Sequence, residues 1–204
     1  MNSLLKKVIS LILSAFILWL MYLGAYLPLR KGQLYIDALG NFSQKKVRTL
    51  DEFNNIFQPV FDYQSPVGND EIITYHIGTI FSVMSQQSNK VVVDALIKQG
   101  EKIVSPMLKS GKGFNYDAML YTLAMAYQNA AFAFKDINYY QKAIETFQTA
   151  LKASPTRPGF LYGLYDTYVA GGDLVKAREI GKIILGYWPE DKNVKNFIES
   201  TNVK

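Results

Sequence analysis

From Val8 to Leu27 the chain runs for 20 residues without a charged side chain, VISLILSAFILWLMYLGAYL. At about 1.5 Å per residue, a helix of that length spans about 30 Å, the thickness of a bilayer's hydrocarbon core. A helix also satisfies its own backbone polar groups, which hydrocarbon cannot do for it. No side of the run is polar, so the pattern argues against an ordinary core helix with one solvated face. Trp19, Tyr22 and Tyr26 lie in its second half, where an interfacial aromatic belt forms. A cleaved signal peptide is the competing interpretation, with Lys6 and Lys7 as its basic start. The run is longer than the usual apolar region of about 7–15 residues, no A-x-A site follows, and Tyr26, Leu27 and Leu29 are bulky for a cleavage site. The sequence therefore predicts a short tail over residues 1–7 and an uncleaved anchor over 8–29 that meets lipid through residues 8–27.

Basic residues lie on both sides of this segment. Lys6, Lys7 and the amino terminus favour a cytoplasmic N-terminus, while Arg30, Lys31, Lys45, Lys46 and Arg48 pull the other way. A very short tail with two lysines stays inside, which predicts a single-pass protein with its C-terminal domain outside the cytoplasm. Asn41-Phe42-Ser43 fits a glycosylation sequon and agrees with that orientation.

The formal charge is +5, from 22 basic and 17 acidic residues. Only Lys6 and Lys7 precede residue 30, so the remainder is near balance and carries no basic stripe of the kind that nucleic acid requires. There is no cysteine and one histidine, His76. That excludes disulfides, thiolate zinc sites and cysteine nucleophiles, and leaves little for multi-histidine metal sites.

Residues 30–70 read as a helical linker region. Gly32 to Gly40 is amphipathic, with Leu34, Tyr35, Ala38 and Leu39 on one side. Thr49-Leu50-Asp51-Glu52 is a capping box that starts a helix at Leu50, with Phe53, Ile56, Phe57 and Val60 facing a core. Pro59 is expected to kink or end it. Gln64 to Asp70 is dense in breakers and reads as a loop. Helices follow over Glu71–Gln87, Lys90–Leu108, with Val92, Ala95, Leu96 and Ile103 as the apolar face of the second, and from an Asn115 cap to about Phe134. No alternating strand pattern appears. Residues 116–134 are poor in charge, but Asp117, Gln128 and Asn129 argue against a second span.

Internal periodicity fixes the expected architecture. Phe134 and Tyr168, Ala143 and Ala177, and Pro155 and Pro189 are each separated by the same interval of 34 residues. The first unit places Tyr127, Ala130, Ala131, Phe134, Ala143, Phe147, Ala150 and Pro155 on one frame. The spacing A-x3-F-x2-A-x4-P runs complete from Ala143 to Pro155. The second unit gives Leu161, Leu164, Tyr165, Tyr168, Ala177, Ile184 and Pro189, with Gly172-Asp173 at the turn. This pattern resembles the tetratricopeptide repeat. The second unit departs from it at Gly181, where an aromatic is usual, and at Tyr165, where a small residue is usual, and the two changes can compensate in volume. The expected fold is all-α: one N-terminal transmembrane helix, then an antiparallel helix-pair solenoid over 71–190, then a capping helix and tail over 191–204 with Val194, Phe197 and Ile198 on its apolar face.

The resemblance implies a scaffold or adaptor that binds a protein or peptide partner on the concave wall formed by the first helix of each pair. By position that wall is Gln128, Asn129, Phe132 and Lys135 from one unit and Tyr162 and Asp166 from the next. A second likeness covers about 45 residues. Arg30-Lys31 through Ala38-Leu39, then Leu50, Phe53, Phe57 and Ser65 to Glu71, resemble the segment after the last membrane helix of O-antigen ligase-like polysaccharide polymerases. It implies an accessory role in envelope polysaccharide assembly as the alternative. No phosphate-cradling glycine motif occurs. His76 sits mid-helix as a packing residue, and the adjacent pairs Asp51-Glu52 and Asp70-Glu71 suit helix N-termini rather than acid–base chemistry. No enzyme activity, catalytic residue, metal ligand or cofactor is expected.

Overall fold

The structure, a computed structural model, describes residues 3–44, 49–111 and 115–201. It is helical throughout, with no strand among the described residues. The chain divides into two compact units, residues 1–73 and 74–204.

In the first unit α1 (Ser3–Met21), a π-helical turn (Tyr22–Tyr26) and α2 (Leu27–Gln44) form one continuous helical run, followed by α3 (Leu50–Asp62). The helix passes through Pro28 instead of stopping there. Proline lacks an amide and its ring crowds the carbonyl four residues back, here that of Gly24. The turn widens just before it, and the Leu27 amide donates to the Tyr22 carbonyl five residues back. Leu11, Ile12, Leu18 and Met21 are each more than half exposed. Water would not tolerate such a surface, and the segment is long and apolar enough to cross a membrane.

Helices α2 and α3 pack through aromatic rings, Phe53 on Phe57 at 4.9 Å, Phe42 edge-on to Phe53 at 5.5 Å, and Tyr35 on Phe57 at 6.0 Å. Thr49 caps α3 by accepting from the Glu52 amide at 3.1 Å, as the capping box predicts. Phe53, Phe57 and Val60 are buried, whereas Ile56 is only half-buried. Pro59 lies inside α3, which continues to Asp62, so the expected stop does not occur. The loop that follows is tied to α2. Buried Lys31 donates to the Asn69 Oδ1 at 2.6 Å, the Asn69 side chain donates to the Ser65 carbonyl, and the Ser65 hydroxyl donates to the Val67 carbonyl.

Helix α4 (Asn69–Ser85) carries the chain into the second unit, followed by α5 (Lys90–Ser110), α6 (Tyr116–Phe134), α7 (Ile137–Ala153), α8 (Pro158–Gly171), α9 (Leu174–Tyr187) and α10 (Lys192–Ser200). From α5 onward each helix packs on the next, and α6 also touches α8. The buried face of α5 is Val93, Leu96, Ile97, Gly100 and Val104, one position round from the face read off the sequence; Val92, Ala95 and Ile103 are only half-buried. Gly100, on this face, lies near the Phe81 and Ile77 side chains of α4. Asn115 precedes α6 but makes no side-chain cap, contrary to expectation. Asn89, Asp136, Asp173 and Asp191 do cap α5, α7, α9 and α10 through their side chains.

The core follows the repeat frame. Ala143 and Phe147 are fully buried, and a Cβ on Gly163 would fall inside the Phe147 ring. Ala177 and Ile184, 34 residues after Ala143 and Ala150, are fully buried as those are. Gly181 faces Val194 and Ile198 of α10, and Tyr165 meets Phe197 edge-on at 5.4 Å. The aromatic missing at Gly181 is thus replaced by the terminal helix, not by Tyr165 alone.

A polar ladder joins α5 to α6 and α7. Lys142 donates to Glu101 at 2.7 Å and lies over the Tyr127 ring, whose hydroxyl donates to Glu101 at 2.6 Å. The Tyr139 hydroxyl donates to Asp94, and Lys90 bridges Asp94 and Asp136 at 2.9 and 3.0 Å. Burial works to raise the Glu101 carboxyl, but the bonds from Lys142 and Tyr127 outweigh it and hold it below the usual range.

Candidate functional site

The six residues placed on one wall by the sequence occupy five different surroundings. Gln128 is buried. Its amide donates to the Thr167 hydroxyl at 2.8 Å and to the Gly163 carbonyl at 3.1 Å, so it fastens α6 to α8 and is closed to a partner. Tyr162 is half-buried, with its ring against Trp188 and its hydroxyl donating to Asp191. Burial, helped by that carboxylate, pushes its phenol up to about 12. The same bond leads the causes that hold the Asp191 carboxyl below its ordinary value. Tyr162 therefore serves the junction of α8 with the chain's last turn and helix.

Asp166 is exposed, and partial desolvation raises its carboxyl above the ordinary value. Asn129 is exposed and lines a cleft of about 270 Å³ with Met84, Ser85 and Gln87 from α4 and its following turn. This cleft places the C-terminal end of α4 beside that of α6.

Phe132 and Lys135 come together. They line a larger cleft of about 580 Å³, bounded also by Ala131, Asp136, Ile137, Tyr140, Ala170 and Gly171. Three helix ends build it. Helix α6 ends at Phe134 and Lys135 takes the left-handed conformation, φ 51°, with its amide on the Ala131 carbonyl. Asp136 then caps α7 by accepting from the Asn138 and Tyr139 amides. The third side is the C-terminal end of α8, where Gly171 is required because a Cβ would collide with the Tyr140 ring. Ile137 is 65 % exposed and Phe132 is 39 % exposed, so the cleft has an open apolar lip. The Asp136 carboxyl is held below its ordinary value, chiefly by Lys90, which neutralises it.

Ile137, Tyr140 and Ala170 do not belong to the wall the sequence proposes. The sequence signal for Ile137 is an apolar residue just after a capping aspartate, at a position a folding helix has no need to fill. Tyr140 and Ala170 reach the cleft only through the packing of α7 on α8. Among the described residues no three His, Asp or Glu side chains gather as a metal site requires. His76 is buried on α4, and burial brings its imidazole down to about 4.

No family of known proteins, no curated protein and no solved structure matches the chain.

Proposed function

We propose that this protein is a single-pass, membrane-anchored helical-repeat adaptor that binds a protein or peptide partner and performs no catalysis of its own. The carrying observation is the open cleft at the ends of α6, α7 and α8, where large apolar side chains stay exposed although the fold could bury or omit them. The serial packing of α5 through α10 supports a tetratricopeptide-like solenoid, and the fully exposed apolar α1 supports the anchor. A C-terminal domain outside the cytoplasm is the orientation that Lys6 and Lys7 favour.

A second reading, an accessory module of envelope polysaccharide polymerisation or ligation, draws on residues 30–71. There Lys31 and Asn69, far apart in sequence and both within that likeness, are joined by one hydrogen bond. The test uses a photo-crosslinking side chain introduced in the full-length protein in its native membrane, at exposed Ile137 on the lip of that cleft and, as a control, at exposed Glu145 on α7. A discrete protein adduct from position 137 and none from 145 is expected. Adducts of equal yield from both, or none from 137, would sink the adaptor reading; a glycan-bearing adduct would favour the second.

A further inference from the structure

The two turns inside the helix pairs α6–α7 and α8–α9 are built alike. Each has one residue in the left-handed conformation, then an aspartate that caps the next helix, then an exposed apolar residue: Lys135-Asp136-Ile137 in one and Gly172-Asp173-Leu174 in the other. Glycine adopts the left-handed region without penalty, as Gly172 and Gly111 do at the ends of α8 and α5. Lysine does not, because its Cβ crowds the backbone there. Lys135 is the one non-glycine residue with positive φ among those described. A strained residue persists where the surroundings fix it, and such residues concentrate at sites of function.

The cleft beside it supplies a reason for a cation. Of the two charged residues that line it, Asp136 is neutralised by Lys90 at 3.0 Å and engaged by the α7 amides. Lys135 is exposed and has no carboxylate partner among the described residues. The remaining surface is apolar, from Phe132, Ile137 and Ala170. The site therefore offers one charged hydrogen-bond donor, Lys135, beside a space of about 580 Å³ that takes one or two large side chains.

We infer that this cleft binds a peptide segment in which an Asp or Glu stands next to a Leu- or Phe-sized side chain, the apolar group entering between Phe132, Ile137 and Ala170 and the carboxylate meeting Lys135. The inference rests on the adaptor reading and supplies the chemistry of its partner. A carboxylate pairs with Lys135, a cation meets the wrong sign, and a neutral apolar group alone gives Lys135 no role.

The probe is the capped octapeptide Ac-GSGEFGSG-NH2, with Ac-GSGKFGSG-NH2 as its charge-reversed counterpart. It is titrated into the full-length protein in lipid nanodiscs, since detergent tails would compete for the cleft. The readout is the 13C-labelled δ1 methyl of Ile137, assigned by its loss in Ile137→Val. A saturable shift is expected for the acidic peptide, with Kd of about 0.1–1 mM for so small a contact. Lys135→Gly should weaken binding by about tenfold or more, while its melting temperature stays at or above that of the unmodified protein, because glycine suits the turn. Phe132→Ala should weaken binding as well, and Lys135→Gly decides the matter if that variant does not fold. The inference fails if the Ile137 methyl does not move, if Lys135→Gly binds as the unmodified protein does, or if the lysine peptide binds equally well. An unresponsive cleft together with a discrete adduct at position 137 would overturn the acidic-peptide chemistry and leave the adaptor standing; an unresponsive cleft with no such adduct would overturn both.

Discussion

His76 shows what a single buried side chain does to the pH behaviour of this domain. Only 1 % of its surface is exposed, and burial lowers its imidazole to about 4 from an ordinary value of 6.5. The unfolded chain therefore takes up a proton on this residue near pH 6.5, and the folded chain does so only near pH 4. Between those values the unfolded state binds more protons, so stability falls as pH falls. Over the step from pH 7 to pH 5 the expected loss is about 2 kcal/mol. Glu101, Asp136 and Asp191, whose carboxyls are held low, add acid sensitivity only at lower pH, where unfolded carboxylates begin to protonate. Thermal unfolding of the full chain in nanodiscs, followed by helical circular dichroism at pH 7 and pH 5, measures this. His76→Leu should remove most of the difference between the two melting temperatures, whatever it does to either one. A slope that survives the substitution would assign it to other groups.

At the scale of elements, the pairing of α6 with α7 and of α7 with α8 depends on small residues where backbones approach. Ala143 is fully buried at such an approach, and Phe147 fills the space that Gly163 leaves open. Ala143→Leu should overpack the contact and cost about 1–3 kcal/mol. Phe147→Ala should leave a cavity and cost about 3–5 kcal/mol. Lys152→Ala, on an exposed face of the same helix, should change stability by less than about 0.5 kcal/mol. Chemical unfolding midpoints rank the three, and equal midpoints would show that the repeat frame does not mark the packed positions. This frame was readable because spacing and residue size are local properties of the chain. The rotation of α5 was not: Val92 and Val93 are chemically the same, and which is buried depends on how α5 packs on its neighbours. The end expected at Pro59 failed for a related reason. Proline removes a helical hydrogen bond, but α3 runs three residues past it. Repeat position alone puts Gln128 on the wall; the partners that close it off, Gly163 and Thr167, lie 35 and 39 residues away. The cleft was half legible, through Phe132 and Lys135. Its other half depends on the left-handed turn and on α8 arriving beside Tyr140, neither of which has a periodic signature.

At the scale of the whole molecule, the apolar N-terminal helix and the rest of the chain obey different solvents. Helix α1 exposes Leu11, Ile12, Leu18 and Met21, while the second unit buries Phe147, Phe160, Leu164 and Ile184 almost completely. Each fully exposed leucine or isoleucine forgoes about 1.5–3 kcal/mol of transfer free energy in water, so a run of such residues favours a bilayer by a wide margin. The full-length protein should therefore sediment with membranes, resist extraction by high salt and carbonate, and enter solution only with detergent. Salt would release a protein held by its lysines alone, because surface charge is screened within about 10 Å at 0.1 M. Recovery in the aqueous fraction, or a mature N-terminus beyond residue 20, would show that the segment is removed or does not insert. The proposed orientation, with residues 71–204 outside the cytoplasm, draws on Lys6 and Lys7 at the start of the apolar run. In sealed inside-out vesicles, added protease should leave the C-terminal domain intact until detergent opens the membrane. Digestion before detergent would reverse the orientation and put the cleft of α6, α7 and α8 in reach of cytoplasmic partners.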